Sequence, residues 1–214
     1  MEHWRFSESI LAEGKMSAET VILAAGDFPA DFSYARSILM GAKRVICCDS
    51  AADSYREKTG REPFAVVGDC DSVRGSFETL VRIDDQDTND LAKAVEFCRS
   101  QGWLSPVILG ACGKREDHSI GNVFRALEYG LDVITDYGRF TALEGHGSYK
   151  VGKGASVSIF ATERDTVMTS KGLCWSLGGV KFSNLYCATL NKADADVIEL
   201  STNRKVYVYI AWRV

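Results

Sequence analysis

Two carboxylates follow a short apolar run in the stretch AVVGDCDSV, residues 65 to 73. Asp69 and Asp71 are separated by one residue and stand where a buried strand is expected to end. Such a pair can accept backbone hydrogen bonds in a turn, or it can bind a metal ion. The second interpretation needs groups of matching chemistry elsewhere in the chain.

Further carboxylates follow other apolar runs or lie in the segment RIDDQDTNDLAKAV. They are Asp27, Asp49, Asp84, Asp85, Asp87 and Asp90. Because ligands collect outside the carboxyl ends of the strands in open α/β sheets, several of these side chains are expected at one site. Mg²⁺ would neutralise such a cluster, since it binds one or two carboxylates together with water and phosphate oxygens. For Asp84, Asp85 and Asp87, a solvated run of charges that caps a helix is the alternative.

Cations accompany the carboxylates. Lys114 and Arg115 follow the apolar run of PVILGACGKRED, where they can hold phosphate, and Asp117 opens the next predicted helix. Lys93 lies three residues after Asp90 and shares its helix face. Carboxylates for a metal and cations for phosphate are the groups that phosphoryl transfer needs. The sequence has no Walker A loop, so this chemistry would use another arrangement.

Composition limits the classes of partner. With 46% hydrophobic and 25% charged residues, the chain is typical of a folded protein, and its net charge of −4 argues against nucleic acid or an acidic membrane as partner. Seven cysteines without a CxxC pair suit a reducing compartment. No run of about 20 apolar residues could cross a bilayer, and MEHWRFSESILAEGKMS lacks the apolar core of a secretory signal. We therefore predict a cytoplasmic protein.

The elements that must position these residues change along the chain. Apolar runs in TVILAAGDF, RVICCDS, FAVVGDCDS, PVILGACG and LDVITDYG alternate with segments of helical spacing. This pattern predicts an α/β domain over residues 18–144 with a mainly parallel sheet covered on both faces. From Gly145 the helical period disappears, and DADVIEL and KVYVYIAW alternate between two faces. Residues 145–214 are therefore predicted to form an all-β domain.

In order and spacing, GDCDS, DQDTNDLAKAV, GACGKREDHSIGN and KGLCWSL resemble the motifs of thiamine pyrophosphokinases. The resemblance runs from about Thr20 to the end of the chain and is strongest between residues 45 and 125. It implies a three-layer α/β/α domain followed by a β-sandwich that binds thiamine. It also implies a homodimer with active sites at the subunit interface, and Mg²⁺-dependent transfer of pyrophosphate from ATP to thiamine.

The resemblance implies roles for individual residues. The positions that match Mg²⁺ ligands are Asp69, Asp71 and Asp90. The positions that handle nucleotide phosphates and order the site are Lys93, Arg115 and Asp117. The other positions that match contacts to nucleotide or thiamine, or ordering residues beside them, are Asp49, Gln86, Asn122, Trp175 and Asn191. The chain departs from the family in CATLN, residues 187–191, where Ala188 and Leu190 replace two residues with hydroxyls.

The implied reaction is attack by the thiamine hydroxyl on the β-phosphorus of Mg·ATP, with release of AMP. Asp69, Asp117 and a metal-bound water remain alternatives for the group that accepts the hydroxyl proton. Three other functions stay open. The chain could be a pyrophosphokinase for another hydroxymethyl heterocycle such as a pterin, or a thiamine-binding protein without turnover. It could also be a nucleotidyl or glycosyl transferase that shares only the Asp-x-Asp pair.

Overall fold

The computed structural model describes residues 18–85 and 87–212, so Gln86 of the predicted site lies outside the described residues. The helices are α1 (Tyr34–Gly41), α2 (Ala51–Thr59), α3 (Asp90–Ser100) and α4 (Glu116–Glu128). The strands of the first part are β1 (Thr20–Leu23), β2 (Arg44–Cys48), β3 (Ala65–Gly68), β4 (Leu80–Arg82), β5 (Val107–Leu109) and β6 (Val133–Ile134). Those of the second part are β7 (Gly138–Lys150), β8 (Ser156–Ala161), β9 (Met168–Lys171), β10 (Ala188–Lys192) and β11 (Val197–Ala211). In the described part of the chain, no helix has both the length and the apolar character that crossing a bilayer demands.

Strands β1 to β6 form a parallel sheet in the order β6-β5-β1-β2-β3-β4. The five strands predicted in this part are all present. The sixth, β4, is absent from the prediction because Leu80–Arg82 is a three-residue run whose side chains are exposed or half-buried, so no apolar pattern marks it. The order reverses direction between β1 and β5, which makes the end of these two strands a topological switch point.

Helices cover both faces of the parallel sheet, as predicted. Successive side chains in a strand point to opposite faces, so Val21 and Val45 pack with α1 and α2 while Ile22 and Ile46 pack with α3 and α4. All four of these side chains are buried. Two apolar cores therefore lie on either side of one sheet, which is the three-layer arrangement.

The second part of the chain is antiparallel. Strand β11 pairs with β7 on both sides of residues 203–205. Its first half also pairs with β9 and its second half with β8, and β8 pairs in turn with β10. The register shifts between Thr202 and Val206, in the middle of β11. Leu200 before this shift and Val208 after it belong to the same buried core, so the two halves of the bent strands enclose it. This is the predicted carboxy-terminal β-sandwich.

Parallel pairing ends and antiparallel pairing begins between β6 and β7. The predicted domain division at residues 144 and 145 falls within β7, whose pairing with β11 continues on both sides of it. The division stays a prediction.

Candidate active site

Three carboxylates meet at the carboxyl edge of the parallel sheet. Asp49 directly follows β2, and Asp69 and Asp71 follow β3, the neighbouring strand. One oxygen from each of the three carboxylates lies within 4.8 Å of the other two. Asp49, whose family position implies a contact to nucleotide or thiamine, thus lies with Asp69 and Asp71, whose positions imply metal ligands.

The chain turns sharply between the two aspartates after β3. Cys70 has a φ of 60°, in the left-handed region. The backbone N–H of Asp71 donates to Oδ1 of Asp69 at 3.3 Å, and Oγ of Ser72 donates to Oδ1 of Asp71 at 2.8 Å. The turn brings the two carboxylates close together, since side chains two apart in an extended strand share a face but lie about 7 Å apart.

Asp90 borders this cluster from the start of α3. Asn89 caps the helix, and its Oδ1 accepts from the backbone N–H of Ala92 at 3.0 Å. A Cβ at Gly68 would lie 3.2 Å from Oδ1 of Asp90 and 3.2 Å from Cβ of Asp49, so the glycine leaves the room in which the two carboxylates approach. Lys93 donates from Nζ to Oδ1 of Asp90 at 3.3 Å, with a side chain that is only 4% exposed.

The acidic cluster is electrostatically suited to a cation. Burial raises the pKa of Asp49, and the charges of Asp90, Asp69 and Asp71 raise it further, while the nearby hydroxyl of Ser72 acts in the opposite direction. Oδ1 of Asp49 is buried and has no hydrogen-bond partner among the described residues. A buried carboxylate oxygen without a partner is unfavourable, and a hard divalent cation would supply the missing interaction. The donor set, all carboxylate oxygens, fits such an ion.

A second charged group lies where β5 leads into α4. Arg115 donates from Nε and Nη2 to the two oxygens of Asp117, at 3.1 and 2.6 Å. Both side chains are about two-thirds exposed. The paired guanidinium is the main cause that lowers the pKa of Asp117, to about 2. Asp117 therefore holds Arg115 in a fixed orientation at the beginning of a helix, where the backbone also favours anions.

Asn122 connects these two regions. Its Nδ2 donates to the carbonyl oxygen of Ala111, just after β5, at 3.3 Å. Its Oδ1 accepts from Nδ2 of Asn89, the cap of α3, at 3.2 Å. The start of α3, which carries Asp90, is thereby tied to the loop that leads to Arg115.

The two remaining predicted residues lie together at an open cleft of about 310 Å³ in the β-sandwich. Asn191 is buried, and its Oδ1 accepts from the backbone N–H of Trp175 at 3.2 Å while its Nδ2 donates to the carbonyl oxygen of Trp175 at 2.8 Å. Trp175 is 60% exposed. The residues that line the cleft are Trp175, Ser176, Leu177, Val180, Cys187, Ala188, Thr189, Leu190 and Asn191.

The cleft and the acidic cluster are far apart in the sheet. Strand β10, which carries Asn191, is the last strand at one end, whereas β2 and β3 lie seven and eight strand positions away. Within the described ranges, no hydrogen bond or ion pair joins a cleft residue to Asp49, Asp69 or Asp71. The predicted site residues thus form two groups within one chain.

Two family models match the chain in succession. Residues 35–134 match the catalytic domain of thiamin pyrophosphokinase, and residues 138–209 match its substrate-binding domain. Thiamin pyrophosphokinase 1 of Caenorhabditis elegans is 27% identical over 124 residues, which are 52% of this chain and 51% of that protein. The chain therefore aligns with about half the length of this curated relative.

Solved structures show the same fold. Thiamine pyrophosphokinase from Bacillus subtilis superposes with a TM-score of 0.74 at 15% identity, covering 91% of this chain and 100% of that one. Yeast thiamin pyrophosphokinase superposes with a TM-score of 0.72 at 13% identity, covering 94% of this chain and 88% of that one. The acidic cluster lies within the part that matches the catalytic domain, and the cleft within the part that matches the substrate-binding domain. On these matches, the chain belongs to the thiamin pyrophosphokinase family.

Proposed function

We propose that this protein transfers pyrophosphate from Mg·ATP to the hydroxyl of thiamine, giving thiamine diphosphate and AMP. The observation that carries the proposal is the buried Oδ1 of Asp49, which has no hydrogen-bond partner among the described residues and lies among the carboxylates of Asp69 and Asp71. This part of the chain matches the family's catalytic domain. A divalent cation would stabilise a site built this way, and the bound cation could hold a polyphosphate.

Asp49, Asp69 and Asp71 would hold the Mg²⁺, with Asp90 beside them. Bound there, the ion supplies neutralising charge to the phosphates of ATP. Lys93 adds a buried positive charge, and its bond to Asp90 fixes the carboxylate at the start of α3. Most of the catalysis then comes from positioning and charge, as is usual in phosphoryl transfer.

Arg115 would bind the phosphates from the opposite side. Its exposed guanidinium is already oriented by Asp117, so little side-chain entropy remains to be lost when phosphate binds. The low pKa of Asp117, about 2, makes this carboxylate a poor proton acceptor, and its role is to orient Arg115. Asn122 holds this loop against the start of α3 through its hydrogen bonds to Ala111 and Asn89.

Thiamine would bind at the cleft. The exposed indole of Trp175 offers an aromatic face to the cationic thiazolium ring. Asn191 fixes the backbone of Trp175 on both sides of the residue, so the indole projects from a rigid support.

The separation of the two groups in the strand order supports a homodimer. At about 4.8 Å per strand, the seven steps from β10 to β2 amount to about 34 Å along the sheet, several times the length of a thiamine molecule. Thiamine in the cleft of one copy would therefore meet the acidic cluster of a second copy. In this arrangement each of two active sites lies at the subunit interface.

A cytoplasmic location belongs to the same proposal. All seven cysteines are free thiols, which suits a reducing compartment.

The test is a product assay with purified protein, Mg·ATP and thiamine. Chromatography should detect AMP and thiamine diphosphate, and Asp71→Asn should abolish both. Asp165→Asn is the matched control, because this exposed aspartate pairs with Arg204 in the β-sandwich and lies outside both groups. Formation of ADP in place of AMP, or the absence of a thiamine-dependent product, would contradict the proposal.

A further inference from the structure

Arg82 lies beside the acidic cluster, on the last strand of the parallel sheet. It ends β4 and stands opposite Gly68 of β3, the residue that directly precedes Asp69. Side chains at paired positions of neighbouring strands lie on the same face of a sheet. A Cβ at Gly68 would meet atoms of Asp49 and Asp90, each 3.2 Å away. Arg82 therefore starts from the same face as these carboxylates, one strand further along the sheet.

The guanidinium of Arg82 is oriented by one partner but is not buried. Its Nε donates to Oδ1 of Asp84 at 2.7 Å, and 65% of the side chain is exposed. The hydrogen bond and the charge of Asp84 raise the pKa of Arg82, and the charge of Asp69 raises it further. Within the described ranges, Nη1 and Nη2 form no hydrogen bond, so the outer edge of the guanidinium is free to bind an anion.

Arg115 has the same arrangement on the other side of the acidic cluster. In both cases an aspartate two residues after the arginine holds the guanidinium, and both arginines are about two-thirds exposed. Arg115 follows β5, three positions from β3 in the strand order, whereas Arg82 ends the strand directly beside β3. Such exposed ion pairs contribute little to folding stability, and their main effect is to orient the guanidinium. A polyphosphate at the acidic cluster would thus have an oriented arginine on each side.

The charge of the site leaves a need for a second arginine. The acidic cluster and Asp90 together offer four carboxylates, and Lys93, bonded to Asp90, offsets one of them. A divalent cation offsets two more, which leaves the site negative before any phosphate is bound. A polyphosphate adds further negative charge, so its binding requires cations beyond the metal ion and Lys93.

We propose that Arg82 is a phosphate-binding residue of the active site, which contacts the polyphosphate of Mg·ATP from β4 while Arg115 contacts it from the opposite side. Nη1 and Nη2 of Arg82 donate to phosphate oxygens, and Nε keeps its bond to Asp84. This inference rests on the proposed function and adds to it a residue to which neither the sequence patterns nor the family resemblance gave a role.

The test compares phosphate binding with metal binding in the full-length Arg82→Gln protein. Calorimetric titration with Mg·ATP, without thiamine, should show a Kd about tenfold higher than that of wild type, because a charge-assisted contact is lost. Electron paramagnetic resonance should show a Kd for Mn²⁺, without nucleotide, that is equal to that of wild type or lower, because a positive charge beside the carboxylates is removed. A variant with a disturbed site would bind both ligands more weakly.

Two further variants serve as controls. Arg204→Gln is matched, because Arg204 also pairs with an exposed aspartate, Asp165, but in the β-sandwich. It should leave both Kd values unchanged. Asp84→Asn keeps the guanidinium of Arg82 and removes only the charge that orients it, so its Kd for Mg·ATP should rise less than that of Arg82→Gln.

Two results would overturn the role of Arg82 alone. In the first, Arg82→Gln binds Mg·ATP as tightly as wild type. In the second, Arg82→Gln binds Mg·ATP and Mn²⁺ more weakly by the same factor, or Asp84→Asn weakens Mg·ATP binding equally, which would make the pair a structural support of the metal loop. A wild-type protein that binds Mg·ATP but forms no AMP with thiamine would overturn the proposed function, while the same titrations still decide the role of Arg82. A wild-type protein that does not bind Mg·ATP would overturn both.

Discussion

The side-chain amide of Asn89 donates to Oδ1 of Asn122 at 3.2 Å, which joins the N-cap of α3 to the interior of α4. Asn89 begins the helix that carries Asp90 and Lys93, and Asn122 also bonds Ala111 in the loop that leads to Arg115. Hydrogen bonds of Asn122 in α4 therefore connect the helix that carries Asp90 to the loop that carries Arg115.

Replacing Asn122 by alanine should weaken this link without removing the cap of α3, because Oδ1 of Asn89 keeps its bond to Ala92. We expect a loss of about 1 kcal/mol in the free energy of unfolding, typical of lost side-chain hydrogen bonds, and a higher KM for Mg·ATP. Urea unfolding and steady-state kinetics measure the two effects. Asn203→Ala removes two side-chain hydrogen bonds in the β-sandwich, to the backbone of Val167 and of Asp165, and should lower stability similarly with the KM for Mg·ATP unchanged. Equal KM values for Asn122→Ala and wild type would refute the link.

Asp53 is expected to position the carboxylates that follow β3. Its two oxygens accept from the backbone N–H groups of Arg74 and Gly75, each at 2.9 Å, and so hold the loop that begins with Asp69. Asp53→Ala should lower the affinity for Mn²⁺, a probe for Mg²⁺, by about tenfold, as changes behind metal ligands do. Asp53→Asn retains an acceptor oxygen, so its affinity for Mn²⁺ should lie between those of wild type and Asp53→Ala. Electron paramagnetic resonance measures the Kd for Mn²⁺. An Asp53→Ala protein that binds Mn²⁺ as tightly as wild type would contradict this role of Asp53.

Asp49 should make stability depend on pH and on divalent cations. Its pKa is raised in the folded protein, so the folded state binds more protons than the unfolded state, and stability decreases as pH rises through the interval between the two pKa values. Without a divalent cation at neutral pH, Asp49→Asn should therefore be more stable than wild type. Adding Mg²⁺ should stabilise wild type and leave Asp49→Asn nearly unchanged. Denaturant unfolding in EDTA and in Mg²⁺ measures the free energy of unfolding of both proteins under the two conditions. An equal increase in stability on addition of Mg²⁺ would exclude Asp49 as a ligand.

Arg115 should require its forked guanidinium. Arg115→Lys keeps the charge but cannot bind both oxygens of Asp117 or of a phosphate, so kcat/KM for ATP should fall about tenfold. Asp117, with a pKa of about 2, stays ionised at every practical assay pH. Asp117→Asn should therefore lower activity by the same factor at every pH. The decrease of wild-type activity at low pH should remain in the variant. Loss of that decrease in Asp117→Asn would instead identify Asp117 as the titrating group.

The fold of the first part could be predicted because its signals are local. Runs such as VICC and AVVG are apolar throughout, and the aspartates that follow them must meet at one edge if the strands are parallel. The short strand β4 could not be predicted, since its side chains show no apolar pattern. The environment of the buried Oδ1 of Asp49 is formed by residues of α3 and of the segments that follow two strands. No local sequence pattern predicts it.

The geometry of the cleft also could not be predicted from sequence patterns alone. Trp175 and Asn191 could be named from family motifs, but their double hydrogen bond joins residues 16 positions apart. The outward direction of Leu190 arises from a bulge, and alternation alone cannot predict where a strand slips register. The separation of the cleft from the acidic cluster follows only from the strand order of the complete sheet.

The most direct test of the account asks whether one active site combines the acidic cluster of one copy with the cleft of another. Asp71→Asn and Trp175→Ala chains carrying different tags are co-expressed, and the mixed dimers are purified and assayed for thiamine diphosphate. With sites shared across the interface, one of the two sites in each mixed dimer is intact, so about half of wild-type activity should return. The control pairs a wild-type chain with a chain that carries both substitutions, and should be inactive because each site then has one damaged half. The reverse outcome, an active control and inactive mixed dimers, would place the whole site within one chain and contradict the account.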